Sequence, residues 1–410
     1  MGRKAAGLRR RPNKPGGIWH IDKVVNGHTI RESCGTSNQA EAERYLAKRL
    51  EEVRQATIYG VRKDRIFRVA AIKYLNDNQD KRSIVTDGYL LKSLDPFIGN
   101  FSISKIHDGT LQKYILARKK ASIKSKTINN ALDVVSKILK LAARKWRDEH
   151  GLTWIETQPM LSRLDTDDER KPYPLSWDEQ RTLFQELPDH LGKMALFKVN
   201  TGLREQEVCH LKWDWEIEVP ELDTIIFLIP DNFGGRTDKS GVKNGEDRLV
   251  ILNDVARSVV ESCRGIHREW VFTYKGNHIG GMNNSAWEKA RVRAAMKLYE
   301  DSGKFIPESL VKHGQRGMLL KTELIKFMNS VMPGYANVRV HDLKHTFGRR
   351  LRAAGVALET RKVLLGHKNG DITSHYSSPE IEELLEASNR VCFTKSVKSP
   401  SLTLLKRKIA

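Results

Sequence analysis

Alternating hydrophobic and polar residues near the N-terminus predict a β-hairpin. The segments Trp19–Val25 and His28–Ser33 flank Asn26-Gly27, and an Asn-Gly pair between two such segments is a strong signal for a tight turn. Thr36 and Gln39 then match a capping box, which predicts the start of a helix. The positions that follow recur at helical spacing and are mostly apolar: Ala42, Tyr45, Leu46, Arg49, Leu50 and Val53.

From Phe67 to Trp146 the pattern is helical throughout. Apolar residues recur there every three or four positions, as in helices that bury one face: Ala70, Ala71, Tyr74 and Leu75; Tyr89, Leu90, Leu94 and Phe97; and, after Thr127, Leu132, Val135, Leu139 and Ala142. A polar stretch over residues 165–171 marks a boundary. Beyond it the pattern is mixed, with Thr224–Ile229 and Arg248–Leu252 predicted as strands among helices.

The net charge of the chain bears on its binding partner. The 410 residues include 71 Lys and Arg against 50 Asp and Glu, a net charge of +21. Such a surplus favours a nucleic-acid partner, although many proteins are basic for no specific reason. The first fourteen residues are strongly basic and contain no acid. We expect this tail to be disordered alone and to become ordered against phosphates.

Several classes of protein are excluded. No apolar run approaches a membrane span, and no apolar segment follows the basic N-terminus as in a secretory signal. Cys34, Cys209, Cys263 and Cys392 are widely separated, which argues against a structural zinc site or a disulfide framework and fits a reducing cytoplasm. No phosphate-binding glycine loop and no acidic cluster for two metal ions are present. No cofactor or metal is expected.

Five short motifs in the C-terminal half could carry chemistry. They are, in chain order, Thr201-Gly202-Leu203-Arg204; Lys243 and Arg248 about a turn; His341-Asp342-Leu343-Lys344; Leu364-Leu365-Gly366-His367; and Tyr376. Each alone is ordinary, since a single Arg, Lys or Tyr is most often a surface or core residue. His341 and His345 at a spacing of four could suggest zinc, but the glutamate of that motif is missing.

Taken together, these motifs resemble the catalytic pattern of the tyrosine recombinase (phage integrase) family. The resemblance implies six catalytic residues: Arg204, Lys243, His341, Lys344, His367 and Tyr376. It extends upstream, where Thr127-Ile128-Asn129 is similar to a helix start in the core-binding domain and Trp19–Val53 is similar to the arm-type DNA-binding module. The implied enzyme is an arm-type integrase, a DNA strand transferase with a tyrosine nucleophile.

The resemblance also implies a fold. We expect a multidomain, mainly α chain with small β-sheets, divided as follows: a basic tail and arm-type module (hairpin or sheet plus helix) over residues 1–62, an all-α core-binding domain over 63–165, a mixed α+β catalytic domain over 166–390, and a basic C-terminal tail over 391–410. The site chemistry agrees with the family. Phosphodiester cleavage builds negative charge on nonbridging oxygens, which fixed cations can stabilise.

The implied function is site-specific recombination of DNA attachment sites by a prophage or integrative element, through a 3′-phosphotyrosine intermediate and without ATP or metal. The expected partners are double-stranded attachment-site DNA, a homo-tetramer on paired sites, and DNA-bending and excisionase proteins. The expected location is the bacterial cytoplasm, with the nucleoid. Two alternatives remain open: a DNA-binding relative that has lost catalysis, and a type IB topoisomerase.

The sequence departs from the family pattern in three places. Lys344 stands where the second arginine is expected. An apparent insertion around Glu300–Gly334 is predicted to hold a helix over Leu319–Met328. The long separation of Arg204 from Lys243 leaves Lys239 as a second candidate for the hairpin lysine.

Overall fold

The computed structural model of the chain describes residues 7–10, 17–234, 241–242, 245–314, 317–320, 322–367 and 380–392. It is mainly helical with small antiparallel sheets, which confirms the predicted fold class. The chain forms two compact units, Met1–Arg170 and Lys171–Ala410. The finer domain boundaries at residues 62, 165 and 390 stay predictions.

The first unit contains one three-stranded sheet and five helices among its described residues. Their bounds are β1 Leu8–Arg10, β2 Trp19–Val25, β3 His28–Ser33, α1 Gln39–Tyr59, α2 Phe67–Asp77, α3 Ile84–Ile98, α4 Asp108–Lys120 and α5 Ser125–Arg144. The hairpin is confirmed, since β2 pairs with β3 and Val25 lies opposite His28. Asn26 (φ 48°) and Gly27 (φ 80°) form its turn in the left-handed region.

Part of the basic tail is ordered, contrary to expectation. Leu8–Arg10 pairs with β2 as a third strand, and the Leu8 side chain is buried in the core of this module. Arg9 lies 3.2 Å from a carboxylate oxygen of Asp22, and the Arg10 guanidinium lies 5.3 Å from the ring centre of Trp19. These partners offset the self-repulsion on which the prediction rested. The rest of the tail lies outside the described residues.

Two local predictions in the first unit were wrong. The N-cap of α1 is Asn38, whose side chain accepts hydrogen bonds from the backbone of Ala40 and Glu41, whereas Thr36 Oγ1 accepts from the Asn38 N–H. Tyr89 is exposed, because α3 is rotated so that Leu91, Leu94 and Ile98 face the core. The predicted stripe of α5 is confirmed, with Leu132, Val135, Leu139 and Ala142 buried.

The second unit is mixed. Its described elements are α6 Trp177–Glu186, α7 Asp189–Thr201, α8 Glu205–Cys209, β4 Glu216–Val219, β5 Thr224–Ile229, β6 Arg248–Ile251, α9 Asp254–Glu261, β7 Thr273–Tyr274, β8 Asn277–His278, α10 Ser285–Asp301, β9 Val311–Gly314, β10 Gly317–Leu320, α11 Thr322–Val331, α12 Val340–Ala353, α13 Leu358–Leu365 and α14 Ile381–Asn389.

The β5–β6 hairpin and three C-terminal helices share a hydrophobic core. The predicted strands are confirmed as neighbours in one sheet, with Ile229 opposite Arg248. Buried residues of the hairpin and of α12, α13 and α14 form one cluster, which includes Ile226, Phe347, Leu364 and Leu384. This packing brings the start of β6 and the end of α13 to one place.

The insertion has more structure than expected. The predicted helix over Leu319–Met328 begins only at Thr322, because Gly317–Leu320 pairs with Val311–Gly314 as a hairpin. In α11 the side chains of Leu324 and Met328 are buried in the main core of the second unit. The insertion therefore packs on the domain that carries it.

Candidate active site

Arg204 follows a sharp break between two helices. Helix α7 ends at Thr201, and Gly202 adopts a left-handed conformation with φ 64°. A Cβ at this glycine would lie 2.6 Å from a ring carbon of Phe347, so a larger residue would not fit there. Arg204 is then the N-cap of α8.

Glu207 holds Arg204 from two sides. Its carboxylate accepts the Arg204 backbone N–H at 2.7 Å and the guanidinium Nη1 at 2.8 Å. Glu207 is 1% exposed. Burial alone would raise its pKa, but the charge of Arg248 and the bonds and charge of Arg204 lower it. The carboxylate thus stays ionised and fixes the guanidinium, whose Nη2 also donates to the Gly366 carbonyl at 3.3 Å.

Arg248 is the first residue of β6, and its side chain binds the C-terminal end of α13. Its guanidinium donates to the carbonyl oxygens of Val363 at 2.7 Å and Leu364 at 2.5 Å. Gly366 closes the helix with φ 58°, and a Cβ there would lie 2.4 Å from Arg248 Nη1. Burial lowers the pKa of Arg248 to about 10, although the charge of Glu207 opposes this. The arginine therefore sets the position of the residue that follows the glycine, His367.

Lys344 joins the two motifs. It is 5% exposed, and its Nζ donates to the carbonyl oxygens of Gly202 at 2.6 Å and Leu365 at 2.5 Å. Burial and the positive charges of Arg248 and Arg204 lower its pKa to about 6. Helix α12 begins at Val340, as expected for a helical His341–Lys344 pair. The lysine therefore contacts the connection before Arg204 and the last residue of α13, two positions before His367.

Two histidines lie at the solvent side of these cations. The ring of His341 packs edge-on against His345, with 4.9 Å between ring centres. Partial burial and the charges of His345, Lys198 and Lys344 lower the pKa of His341 to about 4. Partial burial and the charges of Lys344, Arg204 and Arg248 lower the pKa of His367. Both imidazoles are therefore neutral at pH 7 in the free protein and can accept a proton.

The structure thus brings together four of the six expected residues: Arg204, His341, Lys344 and His367. Lys243, its alternative Lys239, and Tyr376 lie outside the described residues. The described residues nearest to them are Val242, whose N–H donates to the Asp231 carbonyl at 2.7 Å, and His367 and Glu380, between which Tyr376 lies in the sequence.

Sequence reasoning missed Lys198, a lysine in the buried face of α7. It is 0% exposed, and its Nζ donates to the Leu203 carbonyl. Burial lowers its pKa to about 8, against the charges of Glu207 and Glu205. A signal was available, because position 198 falls among the apolar residues Ala195, Phe197 and Val199 of a helix whose polar residues should face water.

The cluster carries a surplus of positive charge. Four basic side chains surround Glu207, and Arg204 lies within electrostatic range of the other three, with Glu205 as a second acid near Lys198: Lys198, Arg204, Arg248 and Lys344. Burial is the main cause of the lowered pKa values of Lys198, Arg248 and Lys344, and for Lys344 the charges of Arg248 and Arg204 lower the pKa further. Such a site favours an incoming anion, and a phosphodiester supplies one.

The described residues contain neither a metal-binding cluster nor a membrane-spanning helix. No group of three or more His, Cys, Asp or Glu side chains there could hold a metal ion. No described helix is long and apolar enough to cross a bilayer.

The chain is similar to known integrases along most of its length. The family model of the phage integrase family matches residues 175–383. The integrase of Salmonella phage P22 is 20% identical over 422 aligned positions, which cover 96% of this chain and 97% of the relative.

Among solved structures, a lambda integrase dimer bound to a COC′ core site is 12% identical in sequence, with a TM-score of 0.45. The match covers 93% of this chain and 97% of the lambda integrase chain. The Tn1549 transposon integrase in complex with circular intermediate DNA is 15% identical, also with a TM-score of 0.45, and covers 78% of this chain and 98% of its own. The family match spans the site from α7 to α14, and the chain therefore belongs to the phage integrase family of tyrosine recombinases.

Proposed function

We propose that this tyrosine recombinase cuts and rejoins DNA attachment sites with the six residues Arg204, Lys243, His341, Lys344, His367 and Tyr376. The observation that carries the proposal is the joint anchoring of two motifs by Lys344, which donates to the Gly202 carbonyl before Arg204 and to the Leu365 carbonyl before His367. This arrangement presents preorganised donors to one anionic group. The binding-only and topoisomerase alternatives are not favoured by the comparisons.

The proposed cleavage step is an in-line displacement at the scissile phosphorus. The phenolic oxygen of Tyr376 bonds to phosphorus, and its proton passes to a neutral imidazole of His341 or His367. The bond from phosphorus to the 5′ oxygen breaks, and Lys243 protonates that oxygen. The products are a 3′-phosphotyrosine and a 5′-hydroxyl. Arg204 and Lys344 stabilise the charge on the nonbridging oxygens.

Rejoining is the reverse of this step with a different 5′-hydroxyl. The phosphotyrosine linkage keeps the energy of the original phosphodiester, so strand transfer needs no ATP. Exchange between two duplexes requires four strand cuts, and each cut uses one tyrosine. A homo-tetramer on paired attachment sites therefore satisfies the stoichiometry.

The remaining parts of the proposal follow from the family and the charge of +21. Residues 1–62 form the arm-binding module, 63–165 the core-binding domain, 166–390 the catalytic domain and 391–410 a basic tail. DNA-bending and excisionase proteins are the proposed accessory partners. The enzyme works on the nucleoid in a bacterial cytoplasm, as the integrase of a prophage or integrative element.

The deciding experiment is the capture of covalent protein–DNA adducts on labelled attachment-site duplexes. Wild-type protein should form adducts that survive denaturation, with excess chelator present, and Tyr376→Phe should form none while binding DNA equally well. Tyr274→Phe is the matched control, since Tyr274 is an exposed tyrosine of β7. Adducts from Tyr376→Phe would assign the nucleophile elsewhere. DNA binding by the wild-type protein without adducts would support the binding-only alternative. Relaxation of supercoils without recombinants would support the topoisomerase alternative.

A further inference from the structure

A buried lysine lies behind the candidate active site without belonging to the family's catalytic set. Lys198 is in the last turn of α7 and is 0% exposed. Its neighbours along the buried face of the helix are apolar, including Phe197 and Val199. An ammonium group in such a place costs free energy unless its charge or its hydrogen bonds are used.

The hydrogen bond of Lys198 reaches the backbone that carries Arg204. Its Nζ donates to the carbonyl oxygen of Leu203, which belongs to the peptide linking Leu203 to Arg204. This peptide lies in the short connection between Gly202, which ends α7, and Glu205, which begins α8. Lys198 therefore fixes one side of the peptide whose N–H is held by Glu207 at 2.7 Å.

The charge of Lys198 also acts on the site. The lysine lies within electrostatic range of Arg204 and Glu207, and its charge contributes to the low pKa of His341. Neither Arg204 nor His341 shares a helix with Lys198. The buried Lys198 ammonium thus makes the electrostatic potential at Arg204 and His341 more positive from the protein interior.

We propose that Lys198 is a positioning residue for strand cleavage, which holds the Leu203–Arg204 peptide and keeps positive charge behind Arg204 and His341. This inference rests on the proposed function. It assigns Lys198 no contact with DNA, because its side chain is fully buried. Its effect is therefore expected in the rate of cleavage by the bound complex and hardly in DNA affinity.

The test compares Lys198→Met with Lys193→Met in single-turnover adduct formation by the full-length protein. Methionine keeps the length of the side chain but removes the donor and the charge, and Lys193 lies on the same helix with a partly exposed side chain. Lys198→Met should cleave roughly 10²-fold more slowly, the loss expected from misplacing a reacting group by about 1 Å. Its DNA affinity should stay within about 2-fold of wild type, since Lys198 makes no phosphate contact.

The pH profile separates positioning by charge from simple packing. The pKa of Lys198 is lowered to about 8, so the wild-type lysine is charged below that pH and loses its charge above it. The ratio of the wild-type cleavage rate to the Lys198→Met cleavage rate should therefore be largest below pH 8 and should decrease above it. A ratio that is independent of pH would indicate packing and would overturn the inference.

Two further variants cover a failure of Lys198→Met to fold. Lys198→Arg keeps the charge, whereas Lys198→Gln keeps a donor and loses the charge, so Arg should retain more cleavage than Gln. The opposite order, or equal cleavage by Lys198→Met and Lys193→Met, would overturn this inference and leave the proposed function intact. Absence of adducts with wild-type protein would overturn the proposed function, and the inference with it.

Discussion

The Nζ of Lys344 lies 2.6 Å from the carbonyl oxygen of Gly202, a residue 142 positions earlier in the chain. The same Nζ donates to the carbonyl of Leu365, the last residue of α13, so the backbone before Arg204 and the backbone before His367 share one donor. In the free protein the lysine thus has a structural role, and the proposed phosphate contact adds a catalytic one. When DNA binding protonates the lysine, its third N–H is the proposed donor to a nonbridging oxygen.

Removing Lys344 should nearly abolish cleavage. Lys344→Ala loses a preorganised donor, which typically costs on the order of 10²–10³ in rate, and should still bind DNA. Lys344→Arg keeps the charge and should retain activity. Single-turnover adduct formation measures both, with Arg352→Ala as the control, since Arg352 is an exposed residue of the same helix. A fully active Lys344→Ala would remove this residue from the catalytic set.

DNA binding should be coupled to proton uptake. Lys344 has a pKa lowered to about 6 in the free protein, so it is mostly neutral at pH 7.5. A bound phosphodiester raises this pKa, because an anion favours the charged form. The complex then holds more protons than its components, and affinity should rise as pH falls from 8 towards 6. Calorimetry in buffers of different ionisation enthalpy should show uptake with wild type and less uptake with Lys344→Met.

Gly366 should tolerate no side chain. In Gly366→Ala the new Cβ would lie 2.4 Å from Arg248 Nη1 at a φ of 58°. The matched variant is Gly355→Ala, where φ is 74° but nothing lies within 4 Å of the added Cβ. Gly355→Ala should cost only the backbone strain, about 1–2 kcal/mol. Gly366→Ala should cost more and also slow cleavage; equal denaturation midpoints would contradict the crowding argument.

Arg248 should be important for stability. Arg248→Met leaves the Val363 and Leu364 carbonyls without their donor and removes a neighbouring charge from the buried Glu207. Loss of one partner from a buried charge cluster costs about 3–5 kcal/mol. Arg257→Met, which removes an exposed ion pair with Asp223, should cost less than about 1 kcal/mol. Chemical denaturation of the two variants gives the comparison.

Deletion of residues 1–62 should remove binding to distal arm sites while weakening binding to core sites less. The deleted segment contains the sheet β1–β3, helix α1 and the basic tail. Each phosphate contact that is lost should reduce the slope of log affinity against log salt by roughly 0.9. DNA footprints of the two proteins provide the measurement, and identical footprints would show that the arm assignment is wrong.

The sequence predicted the parts of the fold that depend on neighbouring residues. The Asn26-Gly27 turn, the buried stripe of α5 and the strands β5 and β6 each carry their signal within one segment. The wrong predictions involved longer-range contacts. Leu8 joins a sheet because the N-terminal core has room for it, and Tyr89 faces solvent because the other helices cover the opposite side of α3.

The sequence motifs predicted which residues belong to the candidate site but not which contacts hold them in place. The resemblance named Arg204, His341, Lys344 and His367, which the structure brings together. Nothing local to Lys344 indicates that its partners are two backbone carbonyls from distant loops. Lys198 was missed although its position among apolar residues of α7 was a local signal; what the pattern does not give is its partner, the Leu203 carbonyl beyond the end of the helix.

The bond between Lys344 and Gly202 also bears on how the enzyme is made. A ribosome adds residues at roughly 5–20 per second, so the 142 positions between the two partners take roughly 7–28 s to synthesise. Throughout that interval Arg204 has been translated but Lys344 and His367 have not. A nascent chain can meet the chromosome with its N-terminal unit already folded, yet it has no complete cleavage centre. Breakage of DNA is thus delayed until the segment with Lys344, His367 and Tyr376 has been synthesised.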